Sequence, residues 1–140
     1  MDNDIIKKIV QVSLELPVMR KDKDVKFKST NYSYFEINQI IVAMKPILSK
    51  HGMAILQPLT SLDGKSAIST IVVDKETGAC ETFTTPLLEL GDPQKQGGCI
   101  TYFRRYALVS LFFMEAEDND AQDSQPKVTG VPIKESNVPF

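Results

Sequence analysis

The chain is poor in the residues that most enzymes and metal proteins rely on. Its only cysteines, Cys80 and Cys99, lie 19 positions apart and form no metal-type spacing. A disulfide between them is not expected in a reducing compartment. The only histidine is His51, so nucleophilic catalysis reduces to one formal pairing, Cys99 with His51. No G-x-x-x-x-G-K-[ST] stretch occurs, which argues against a P-loop triphosphatase. The longest apolar runs, Ile40 to Met44 and Leu111 to Met114, are far too short to span a bilayer. The opening Met1-Asp2-Asn3-Asp4 is acidic and unlike a signal peptide, so the chain reads as cytoplasmic, with no membrane partner. An overall excess of positive charge is also missing, because the net charge is −2.

What is present is an ordinary globular composition, 42% hydrophobic over 140 residues. That is enough to build one core without staples. The charge is unevenly distributed. Residues 115–140 hold six acids and two bases, whereas the preceding 114 residues hold 14 bases and 12 acids. The expected division is therefore a core domain over 1–117 and a flexible acidic tail over 118–140. Binding depends on local patches rather than on the total. Arg20 to Lys28 is one such patch, with five bases against Asp22 and Asp24.

Periodicity predicts a helix over 3–16, where Ile5, Ile9, Val12 and Leu16 form one stripe and Pro17 stops it. Residues 18–32 read as a basic, irregular or strand-like connection, which puts Lys26 and Lys28 on one face if the segment is extended. A second helix is predicted over 34–51, opened by a Ser33/Glu36 capping box, kinked or split into two turns at Pro46, and closed by Gly52. Three strands follow, at 53–59, 66–73 and 79–85, joined by turns at 62–65 and 74–78. After a Gly/Pro/Gln loop at 91–97, a last helix is predicted from about Gly98 to Phe113. The fold class is α+β: a three-stranded antiparallel meander followed by a long helix, with the other helices on the same face.

The most telling stretch is Pro93-Gln94-Lys95-Gln96-Gly97-Gly98-Cys99-Ile100-Thr101-Tyr102-Phe103-Arg104-Arg105-Tyr106-Ala107-Leu108. Adjacent arginines offer planar forks of donors to phosphates, and tyrosines can stack on unpaired bases. Together they point to single-stranded nucleic acid. The stretch PQ-x-x-G-x-x-ITY-x-RRYAL with its acidic follow-on resembles the signature of the Erf family of phage-type single-strand DNA annealing proteins. Upstream, Phe27-Lys28-Ser29 with Tyr32, Ile37 to Pro46, and Leu48-Ser49-Lys50-His51-Gly52 resemble the same family. The likeness covers roughly residues 5–121. It implies a β-β-β-α core, assembly into a homo-oligomeric ring or filament, and ATP-independent annealing in recombination within a bacterial host. A single-strand binding protein or an exonuclease is a further implied partner. No cofactor or metal and no catalytic residue is implied. The family pattern usually ends this helix with a glycine where this chain has Phe113. A phenylalanine resists the left-handed conformation, so a longer helix is expected here.

The candidate DNA-binding residues are Arg104 and Arg105, then Lys95, Gln96, Tyr102, Lys26, Lys28, Tyr32, Tyr34 and Lys45. On a helical wheel Arg104 and Arg105 share one sector with Leu108, and the helix is apolar on most other sides. It is thus expected to be buried, with both arginines lining one channel. The alternative is salt bridging to Glu81, Glu89 or the tail. The loop at 91–98 could hold a phosphate on its backbone N–H groups, or simply connect. Tyr102 and Tyr106 fall one turn apart, and core packing is expected of at least one. Tyr32 and Tyr34 are better stacking candidates, or else pack at a strand edge. Cys99 reads as a small packing residue and His51 as a dipole partner of the second helix. Glu117, Asp118 and Asp120 could bind a divalent cation, but such runs are usually just solvated. A rival reading is a protein-interaction module in which the acidic tail recruits a partner and DNA binding is incidental.

Overall fold

The computed structural model describes residues 3–20 and 36–116. One compact unit comprises 1–18 and 36–115, and a second comprises 19–35 and 116–140. Within the second unit, Met19 and Ala116 form a parallel bridge.

Helix α1 spans Asn3–Glu15 and buries Ile5, Ile9 and Val12, three positions of the predicted stripe. Helix α2 spans Ile37–Lys50 and buries Ile40, Met44 and Leu48. The predicted start at 34 and the Ser33 half of its cap lie outside the described residues. Its capping box is formed by Glu36, which accepts from the backbone N–H at Gln39, while the Gln39 side chain accepts from the Glu36 N–H. The helix runs through Pro46 unbroken. Gly52 follows its C-cap at φ +68, as the chain reversal there requires.

The sheet is antiparallel throughout. Strands β1 (Met53–Leu56) and β2 (Leu59–Leu62) pair along one edge of β3 (Lys65–Asp74), and β4 (Cys80–Pro86) pairs along the other. The register does not shift between β1 and β2, because Leu56 faces Ile71 and Leu59 faces Ile68. The predicted first strand is thus present but interrupted at Gln57-Pro58. Ser69 N–H still donates to Pro58 O at 3.0 Å, but Pro58 has no N–H to return. The result is four strands that retain the three-run meander. The β2–β3 turn puts Asp63 at φ 53 and Gly64 at φ 79, the positive pair that a two-residue hairpin needs.

The sheet face bearing Ile68, Thr70, Val72 and Asp74 takes the helices. Ile68 clusters with Leu87 and Cys99, with Ile100 and Phe103 packed alongside. Asp74 at the strand's end accepts from Lys8 of α1 at 2.8 Å and from the Glu76 and Thr77 N–H groups of the next turn. This pairing holds the Asp74 carboxyl below the usual range, with the Lys8 bond the main cause.

Helix α3 spans Pro93–Leu111, so it starts about five residues earlier than the sequence predicts. Pro93 occupies the first turn, where its missing N–H costs nothing. The Asp92 carboxylate accepts from Lys95 N–H at 2.9 Å. At the other end Phe112 is the C-cap and is fully buried, while Phe113 takes φ +50 and is 87% exposed. The longer helix expected past Phe113 does not form. Seating Phe112 in the core turns the chain at the next residue, and Phe113 accepts a left-handed conformation that costs a non-glycine residue about 1–2 kcal/mol.

Candidate nucleic-acid interface

The candidate residues gather around α3. This helix is not the buried rod that its wheel implies. Only Cys99 and Leu108 within it are buried, and Tyr102 and Tyr106 are 48% and 49% exposed. Neither tyrosine belongs to the core. Their spacing of four residues stacks them along one face, with ring centroids 4.6 Å apart. Tyr102 also meets Phe103 edge-on at 5.2 Å, which ties the exposed pair to the core cluster. The Arg105 guanidinium lies 5.5 Å from the Tyr102 centroid and 5.3 Å from that of Tyr106, within cation–π range. A hydrogen bond with Tyr106 raises the Tyr102 phenol above its ordinary range. The Tyr102 ring therefore stays neutral at physiological pH.

The adjacent arginines meet different neighbours. One residue along a helix is a turn of about 100°, which sets Arg105 against the tyrosine rings and Arg104 beside Gln57. Arg104 points toward β1 and α2. Its Nε donates to Gln57 Oε1 at 3.4 Å, and Gln57 Nε2 donates to Arg104 O and to Thr70 Oγ1. Gln57 is a residue the sequence reading missed. Its signal is the Gln-Pro pair that interrupts an apolar strand, since that interruption places an amide beside α3.

Arg104 and Gln57 border a pocket of about 450 Å³ between α2, β1 and α3. Its lining is mainly apolar, with Ile41, Met44, Leu48, Met53, Ile55 and Leu108, and Lys45 is on its wall. Two of the predicted cations, Arg104 and Lys45, are thus brought to one place.

Lys95 is exposed in the first turn of α3. Gln96 is occupied structurally, because its Oε1 accepts from Leu90 N–H and its Nε2 donates to Leu88 O. The 91–98 stretch is mostly helix rather than loop, and Asp92 already fills its N-terminal donor site. The proposed salt-bridge acceptor Glu89 instead takes both the N–H and the Oγ of Ser66. Lys26, Lys28, Tyr32 and Tyr34 lie outside the described residues, as do Glu117, Asp118 and Asp120.

Cys99 packs with Ile68 and Leu87, as a small core residue should. His51 caps α2 and its Nε2 is 2.9 Å from Glu15 Oε2. Both cysteines are free. Among the described residues no cluster of three or more His, Cys, Asp or Glu could hold a metal ion. No described helix is long and apolar enough to cross a membrane.

The architecture is an α+β module in which an antiparallel meander carries a long helix with an aromatic and basic outer face. The model of the ERF superfamily matches residues 5–137, and the chain belongs to that superfamily. Membership connects it in general terms with phage-type recombination and strand annealing. Comparison with curated proteins and with solved structures returns no match.

Proposed function

We propose that the protein binds single-stranded DNA without sequence preference and anneals complementary strands without ATP, in phage-type homologous recombination. The observation that carries this reading is the outer face of α3, where Tyr102 and Tyr106 are half-exposed and Arg105 lies against both rings. Exposed π-faces accept any base, and a guanidinium held beside them can meet the neighbouring phosphate. Lys95 on the same helix extends the positive track. Annealing needs no bond chemistry. Two strands repel, and each neutralised phosphate lowers that repulsion while releasing counterions.

The test is annealing of two complementary fluorescent oligonucleotides without ATP across a salt series. The protein is expected to accelerate annealing at low salt and to lose the effect as salt rises. Arg105→Ala should weaken binding to all sequences alike. It should also reduce the salt slope by about 0.7, the share of a single neutralised phosphate on one strand. A folded Arg105→Ala protein with unchanged slope and affinity would remove this face from the site.

A further inference from the structure

We propose that copies of this chain join head to tail, with Phe113 of one copy inserted into the pocket between α2, β1 and α3 of the next. The proposal rests on two features that the DNA-binding reading leaves unused. The first is Phe113, an aromatic ring 87% exposed on a backbone at φ +50. Burial of Phe112 accounts for the turn, but not for a large apolar side chain standing in water at the strained position. The second is the pocket of about 450 Å³, floored by Met44, Leu48, Met53 and Leu108. That volume is ample for one aromatic ring, and its own Phe113 does not enter it.

Charge selects between occupants. Lys45 and Arg104 are among the pocket residues. Glu115, two residues beyond Phe113, is exposed. Neither Lys45 nor Glu115 has an ion-pair partner among the described residues. A ring followed by a carboxylate thus matches an apolar hollow bordered by two cations. A free apolar molecule would leave those cations unanswered, and an apolar protein segment without an acid would do the same. The knob follows the end of α3 and the hollow lies mostly on α2 and β1, so the two patches differ. Contacts between different patches are heterologous and propagate, closing into a ring or running on as a filament.

The test uses the full chain without DNA, with sedimentation velocity over a concentration series. Phe113→Gly removes the knob and also relieves the backbone, so its thermal midpoint should rise while self-association weakens roughly ten- to hundredfold. Ser49→Trp fills the hollow from α2, where Ser49 is exposed on the pocket wall, and should weaken association similarly. Each variant keeps the half that the other lacks. Mixed at a concentration where neither associates alone, they should form a 1:1 heterodimer and nothing larger. Wild-type assembly retained by either folded variant would overturn the proposal. So would a wild-type chain that stays monomeric, or a mixture that shows no heterodimer. Because DNA is absent throughout, failure here leaves the strand-binding reading standing, and failure of that reading leaves this one standing.

Discussion

Two sides of the helical layer differ in what they leave at the surface. Where α1 meets α2 and the end of β3, two carboxylates are answered by cations within the chain. Glu15 accepts from Gln11, Lys50 and His51, and Asp74 accepts from Lys8 and two backbone N–H groups. Along the outer side of α3, two tyrosine rings remain half in water with a guanidinium lying across them. The difference separates what holds the domain together from what can meet a ligand. A group already satisfied inside the fold has little to offer outside it. A ring left half in water keeps a face available at the cost of some burial.

The comparison can be broken most severely at the join between the two sides. Phe112 is the buried anchor at the end of α3. Phe112→Ala should destabilise the domain by about 3–5 kcal/mol in denaturant unfolding, and strand binding should fall only as the folded fraction falls. An effect below about 1 kcal/mol would mean that α3 is held mainly by its middle rather than its end.

The next variant acts on the exposed side alone. Tyr102→Ala with Tyr106→Ala should weaken binding to single-stranded oligonucleotides by about 1–3 kcal/mol per stacked base. The thermal midpoint should change little, since both rings are half-exposed. A large loss of stability with unchanged affinity would show the opposite, that the rings support the fold.

The smallest effect sharpens the paired side. Glu15 is lowered from 4.5 to about 2, with the hydrogen bond from Gln11 the largest cause and those from Lys50 and His51 next. A carboxyl lowered on folding adds stability that is fully present above about 4.5 and is lost as pH falls toward about 2. Unfolding midpoints measured across that window should decline in the wild type. In Glu15→Gln the part of the decline due to this group should vanish. The effect is small because the cluster lies at the surface, where solvent screens it.

Much of the fold is legible in the chain alone. The stripe of Ile5, Ile9 and Val12, the Asp63-Gly64 turn and the α2 stop at Gly52 are local signals, and local signals survive into the structure. The start of α3 is also a local matter, but a misleading one. Two glycines at 97 and 98 suggest a loop, whereas Pro93 and the Asp92 cap already begin the helix. The exposure of Tyr102 and Tyr106 could not be read from their spacing, because a wheel shows which residues share a face and not whether anything covers it.

By itself the sequence determined the order and type of the elements, the meander, and the concentration of arginine and tyrosine on the last helix. These follow from periodicity, turn chemistry and residue type, all of which act over a few residues. Only the tertiary structure decided that Arg104 and Arg105 part company, that Gln57 reaches across to α3, and that Lys45 joins Arg104 at one pocket. It also decided that Phe112 goes inside while Phe113 goes out on a left-handed backbone. Each of these outcomes depends on which surface of a helix meets the sheet. That choice is made by packing between segments far apart in the chain, where no local pattern can register it.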